Sequence, residues 1–285
     1  MHGAWPRFAR HRGALLALVV LALGLTCALA AGVLSPHPPT EQFRDAMLAP
    51  PSWAANGFWL GTDELGRDVL SRMLYGARLT IGIASGAVVM ALVPGVALGL
   101  LAAFYPRYLG FFILRLSDVL LALPSVLLAI AVVAVLGPGV LNTMLAVAVS
   151  SLPTYVRLVR ASALGELVRP YVMASRAVGA GTPRLLFGIV LPNCMGTIVV
   201  AATLDFSSAI LITAGLGFLG LGAEPPAPEW GTMLSGARDL VGRAYWVMLA
   251  PGGAIVTVVM CVNVVGDALR DAMDPRNTFA DTLGS

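Results

Sequence analysis

The chain has 285 residues, 58% hydrophobic and 12% charged, with a net charge of +3 and a mean hydropathy of +0.85. Soluble domains carry about 25% charged residues, so the composition excludes an ordinary soluble protein and points to an all-α polytopic membrane protein. All 18 basic residues are arginine, and without a lysine the chain can hold neither a P-loop nor a pyridoxal Schiff base.

Residues 1–34 form a first unit. Arg7, Arg10 and Arg12 precede an apolar run, Ala14–Leu34. It is longer than the ~7–15-residue core of a signal peptide and reads as a retained first span. Residues 35–78 follow as a polar segment on the far side, beginning as a Pro-rich linker. From Asp68 onward Val69, Leu70, Met73 and Leu74 recur at helical spacing, which predicts a helix lying on the membrane surface. On physics alone a solvated connector is equally open. The stretch LGTDELGRDVLSRMLYGAR, Leu60–Arg78, resembles the segment before the second span in the C-type permease subunits of dipeptide, oligopeptide, nickel and glutathione importers.

Residues 79–285 read as a core of five further spans, with a loop at 164–188 and a polar tail. The second span, Leu79–Phe104, carries the pairs Gly82/Gly86 and Gly95/Gly99, whose small-xxx-small spacing permits close helix contact. The third, Phe111–Leu136, has Arg115 and Asp118 three apart near its start, a spacing at which they could pair. After the turn Gly137-Pro138-Gly139, the fourth span covers Val140–Val159.

Tyr171–Asn193 then breaks the apolar pattern. It opens with a small-residue helical patch, Met173-Ala174-Ser175-Arg176-Ala177, followed by Gly179 and Ala180. Gly179 is placed to cap that helix in the left-handed conformation. Thr182-Pro183 reads as a fresh N-cap and first helical residue, and Ile189-Val190-Leu191-Pro192 leads into the next apolar run. Two short helices about a Gly turn make a knob suited to docking in a groove; the plain alternative is an ordinary amphipathic loop. The stretch resembles the coupling loop of ABC-importer membrane subunits: Glu-Ala-Ala, three residues, Gly, nine residues, Ile-x-Leu-Pro. The spacing matches throughout, with Met173 in place of Glu and Ser175 in place of the second Ala.

The fifth span, Gly188–Leu216, contains Asp205. An ionisable group at membrane depth usually faces a bundle interior or a pathway. Both a pathway role and a structural carboxylate bonded to Ser207 or Ser208 stay open. Gly215-Leu216-Gly217-Phe218-Leu219-Gly220 matches GxGxxG but follows a span with no βαβ unit around it, so a dinucleotide site is rejected. Its continuation through Trp230 resembles the external loop of the peptide-permease branch, and ATLDFSSAIL at Ala202–Leu211 looks closest to dipeptide permeases. The sixth span is Tyr245–Val265, and the tail through Arg276 resembles the family's ending.

Cys27, Cys194 and Cys261 lie in or beside apolar runs with no CxxC spacing and read as small buried hydrophobes. The three histidines do not cluster with them, and no metal site is expected. Twelve of the arginines fall on the side of residue 1 and six opposite. The positive-inside rule then puts both termini and the coupling loop in the cytoplasm.

The resemblance implies six transmembrane helices in a type I ABC importer permease fold, importing dipeptides or oligopeptides; nickel, glutathione or haem stay open as cargo. It also implies a homologous second permease subunit, an extracytoplasmic substrate-binding protein and two ATPase subunits that hold the ATP and Mg. This chain itself would bind no cofactor, catalyse nothing and meet no nucleic acid, only partner chains and the bilayer. Glu224, Glu229 and Trp230 would contact the binding protein. A stand-alone secondary transporter would call for inverted repeats and midplane charges, and only Asp205 lies well inside a predicted span.

Overall fold

The computed structural model describes residues 8, 9, 11–53 and 57–273. The first basic residues Arg7 and Arg10 and the end of the tail, Asp274 onward, lie outside them. Helix α1, Arg12–Leu29, is aliphatic nearly throughout. It turns only the small Ala14, Ala17 and Ala28 inward, leaving Leu16, Val19, Leu23 and Leu29 exposed. An outward face of that kind suits lipid contact.

Helix α2 runs unbroken over Val69–Phe104, about 54 Å at 1.5 Å per residue. The expected surface helix does not exist separately; its residues are the first turns of the second span. Asp68 caps the helix by accepting from Ser71 N at 3.0 Å and Ser71 Oγ at 2.5 Å, and no helix breaker intervenes before Leu79. Val69 and Arg72 are buried rather than spread on a surface. The preceding segment is a folded knot instead of a solvated connector. Asp63 accepts from Leu65 N and Arg67 N, both at 2.9 Å, and from Arg67 Nε at 2.6 Å. Trp246 Nε1 donates to Thr62 O at 3.2 Å, and Arg72 Nη1 donates to Pro39 O at 3.2 Å. Among the described residues the extended pairing is a single bridge, Thr62–Asp68.

The third predicted span is two helices, α3 (Leu109–Leu121) and α4 (Ser125–Leu136), bent by 93°. Pro124 biases the residue before it away from helical backbone and itself stands at ψ 136, so Ser125 starts a new helix. Helix α5, Val140–Leu167, follows. It packs on α2, α3, α4 and, further along the chain, α7 (Leu191–Phe218). The bundle is completed by α6 (Pro170–Ala177), the short α8 (Trp230–Gly236) and α9 (Tyr245–Met273), which absorbs the first part of the tail.

Among the described residues, four helical stretches are long and apolar enough to cross a membrane, five if α3 and α4 form one bent span. The expected fourth span, α5, is the one left out; it has the length, with 28 residues, but carries Asn142, Thr143, Ser150, Ser151 and Arg157. Enclosed by other helices, it does not need a lipid-compatible surface all round.

Glycine sets the closest helix approach. A Cβ on Gly95 would lie 2.5 Å from Tyr155 Cβ, and one on Gly99 would lie 2.8 Å from Val156 O. Gly86 meets Met144, whereas Gly82 faces open space. The pair Gly95/Gly99 therefore forms the α2–α5 seam, while only half of the other pair does. The contacts advance in the same direction on both helices, so α2 and α5 run parallel. Asp118 pairs with Arg157 of α5 at 2.6 Å rather than with Arg115, which lies over the Phe111 ring. Its carboxylate faces α5, which makes the inter-helix partner the nearer one. Of the cysteines, Cys194 is buried, but Cys27 and Cys261 are half-buried.

Candidate functional site

Between α5 and α7 the chain builds an exposed knob. Arg169 is extended, and Pro170 starts α6 at the first helical position, where its missing N–H costs no hydrogen bond. Val172 is buried and anchors the helix, while Met173 and Val178 are 62% and 91% exposed. Ala174, Arg176 and Ala177 are exposed, and Ser175 is half-buried. At the end of α6, Gly179 stands at φ +90. Its N–H donates to Arg176 O at 3.0 Å, and Ala180 N donates to Ser175 O at 3.0 Å. These two bonds are a Schellman motif, which satisfies carbonyls the helix end would leave unpaired. The Tyr171 hydroxyl donates to Glu166, and that bond, more than burial, pushes the phenol up to about 12.

The second half of the knob departs from expectation. Gly181, not Thr182, supplies the first helical acceptor, taking a bond from Leu185 N at 3.1 Å. The helix then passes through a π stretch, Arg184–Val190, straight into α7 without ending. Pro192 explains the irregularity: it cannot donate to the carbonyl four residues back, and a wider register upstream is one way helices absorb such a break. Leu191 is half-buried and Pro192 exposed at this junction. The knob is thus continuous with α7 and two residues from α5. A depression of about 390 Å³ beside it is lined by Ala174, Ser175, Val178, Gly179, Ala180 and Arg184, together with Ile189.

Asp205 lies further along α7. Its Oδ1 accepts from Ser151 Oγ at 2.8 Å and its Oδ2 from Tyr155 Oη at 2.9 Å. Both donors are on α5, so the expected partners Ser207 and Ser208 are wrong. A helix directs neighbours in sequence to other faces, and Ser207 instead donates to Leu204 O and to Asn263 Oδ1, at 2.8 and 2.7 Å. Ser151 and Tyr155 are four apart on one helix face, a spacing that could have flagged them. A separate groove of about 820 Å³ opens between α1, α2, α7 and α9, with Met73, Leu92, Ile198, Phe206 and Val258 among its lining. Asp205 does not line it.

At the end of the bundle away from the knob, Glu229 and Trp230 are 0% and 4% exposed. This burial corrects the expectation that they touch a binding protein; Glu224 is exposed. Glu229 caps α8, accepting from Gly231 N at 2.9 Å, Thr232 N at 2.8 Å and Thr80 Oγ1 of α2 at 3.1 Å. Burial raises its pKa above the usual carboxylate range, and these hydrogen bonds oppose the rise. Trp230 Nε1 donates to Met73 O at 3.2 Å. The GxGxxG glycines serve this packing. A Cβ on Gly217 would meet Glu229 Oε2, and Gly220 at φ +79 closes α7. There Gly220 N donates to Gly217 O and Leu221 N to Leu216 O, a second Schellman motif.

The site is thus an exposed, glycine-capped knob that joins membrane-length helices. The inward-facing structure of the MetNI methionine ABC transporter aligns with a TM-score of 0.59 and 19% identity, over 71% of this chain and 97% of that one. Residues 95–279 match the family described as Binding-protein-dependent transport system inner membrane component, and residues 1–51 match the N-terminal TM domain of oligopeptide transport permease C. The chain belongs to this family of ABC importer permeases, transport subunits that are not themselves enzymes. Its relatives include the Di/tripeptide transport system permease protein DppC of Pseudomonas aeruginosa, 57% identical over 95% of this chain and 91% of that protein. The Dipeptide transport system permease protein DppC of Escherichia coli K12 is 49% identical over 95% and 92%. The Glutathione transport system permease protein GsiD of Pectobacterium atrosepticum is 40% identical over 95% and 90%.

Proposed function

We propose that this chain forms half of the membrane pore of an ATP-driven importer of dipeptides or oligopeptides. A second, related permease subunit supplies the other half, and of two ATPase subunits at the cytoplasmic face one docks on this knob and the other on the partner's. The observation that carries the coupling role is the largely exposed knob, Met173 to Ala180, two residues from α5 and continuous with α7. Peptide cargo rests on the di/tripeptide relative, whose identity exceeds that of the glutathione relative, 57% against 40%.

The arginine asymmetry supports cytoplasmic termini. The knob then meets the chains that bind ATP and Mg. Closure of those chains on ATP would displace the knob, and α5 and α7 would follow as one body, switching the pore between its two faces. Met173 offers an apolar thioether where the family pattern has a carboxylate, so the contact there is one of packing. Asp205 sits on the α5–α7 seam and remains our candidate for a carboxylate sensing the pathway, its orientation set by Ser151 and Tyr155. Glu224 is the remaining candidate contact with the binding protein.

The test is purification of the tagged full chain in mild detergent, with mass spectrometry of what accompanies it. A second permease and P-loop ATPases are expected. Recovery of a stable chain alone would favour a stand-alone transporter.

A further inference from the structure

The segment before α2 carries a cavity of about 630 Å³, lined by His37, Phe43, Asp45, Phe58 and Trp59, together with Pro36, Ala46 and Gly57. Pockets of about 300–1,000 Å³ are usual for small ligands. His37, Phe43 and Phe58 pack as three mutually touching rings, with centroids 4.9, 5.3 and 5.2 Å apart. Trp59 is half exposed and backed by Trp53, their rings 6.3 Å apart and nearly parallel. The wall is tied down, because His37 N donates to Ser71 Oγ at 3.2 Å and Phe43 N to Gly66 O at 3.1 Å. Asp45 is exposed and has no ion pair or hydrogen bond among the described residues.

Aromatic faces attract cations, and an unpaired carboxylate adds a charge-assisted hydrogen-bond acceptor. No arginine lines the cavity, and Asp45 is its one fully charged side chain, so the charge there favours a cation over an anion. We propose that this cavity binds the amino-terminal ammonium group of a peptide, with the peptide's carboxylate pointing out. The inference rests on the peptide reading above. It assigns to His37, Phe43, Asp45, Phe58 and Trp59 a holding site at the end of the bundle away from the knob, where cargo would enter. The groove between the spans offers no such chemistry, since its lining holds no charged residue. Each contact in the cavity is individually weak, as suits a ligand that must be passed on.

The test uses the full chain in lipid nanodiscs and ligand-observed saturation-transfer NMR with dialanine. A signal is expected for dialanine and none for N-acetyl-dialanine, which lacks the ammonium. Asp45→Asn and Phe58→Leu should each weaken dialanine binding by about tenfold; the first alters an exposed, unpartnered side chain and should leave the fold intact. Equal binding of both peptides, or no effect of Asp45→Asn, would overturn the proposal. So would loss of binding-protein capture in Asp45→Asn with dialanine binding unchanged, which would assign the cation to that protein. Dipeptide uptake by the complete transporter separates the two readings. Uptake in the wild type with no rise in KM in Asp45→Asn sinks the holding site alone. Absence of dipeptide uptake in the wild type sinks the peptide reading and the ammonium source with it.

Discussion

A buried carboxylate, Glu229, and a half-buried one, Asp205, hold helices together by different chemistry. Glu229 is kept by backbone N–H groups and one hydroxyl, and burial raises its pKa. A carboxyl whose folded pKa is raised contributes stability that is full below its unfolded value, near 4.3, and is lost as pH rises through the folded value. The full chain in detergent should therefore lose thermal stability from about pH 4.3 upward through that window, and Glu229→Gln should flatten the dependence; an unchanged slope would refute the assignment. Asp205 is held by Ser151 and Tyr155 on another helix. Tyr155→Phe leaves a carboxylate inside the bundle with one donor, which should cost about 1.5–3 kcal/mol. Asp205→Asn removes the charge and should cost less. Thermal unfolding of the two variants checks the order, and uptake by Asp205→Asn tests the pathway role.

Helices α5 to α7 follow one another with short or no breaks because of how their ends are made. Gly179 at φ +90 has nothing within 4 Å of where a Cβ would stand, so its requirement is one of backbone alone. A left-handed L-residue costs about 1–2 kcal/mol, more when β-branched, and asparagine tolerates the conformation best. Gly179→Val should insert and assemble but hydrolyse ATP without uptake, and Gly179→Asn should restore transport in part. Normal uptake by the valine variant would remove the knob from the coupling path. Gly99 is the opposite case, since a Cβ there meets Val156 O at 2.8 Å. Gly99→Val should open the α2–α5 seam at a cost of about 1–3 kcal/mol, read as a lower unfolding temperature. The Asp118–Arg157 pair is about half exposed, so exchanging its charges should change stability by less than about 1 kcal/mol.

At the scale of the whole molecule, the knob and the exposed Glu224 mark opposite ends of one bundle. In a variant without the native cysteines, Ser175→Cys should react with a membrane-impermeant maleimide only from the cytoplasm, and Glu224→Cys only from outside. The reverse pattern would overturn the proposed orientation. Hydropathy, the arginine asymmetry and the positions of Gly179 and Pro192 were legible along the chain, because spans, caps and breaks depend on neighbours within a turn or two. The bend before Ser125 was marked by Pro124 but hidden inside a continuous apolar run. The partners of the charged groups were not legible. Asp118 and Arg157 are separated by 39 residues, Asp205 and Tyr155 by 50, and Glu229 and Thr80 by 149. By itself the sequence determined the class of protein, the apolar runs and the first half of the knob, since each follows from local backbone preference and from the cost of polar groups in lipid. The tertiary structure alone decided which carboxylates are satisfied, that Glu229 and Trp230 are buried, and that His37, Phe43 and Phe58 meet, because hydrogen bonds and ring contacts between distant segments exist only once the helices have packed.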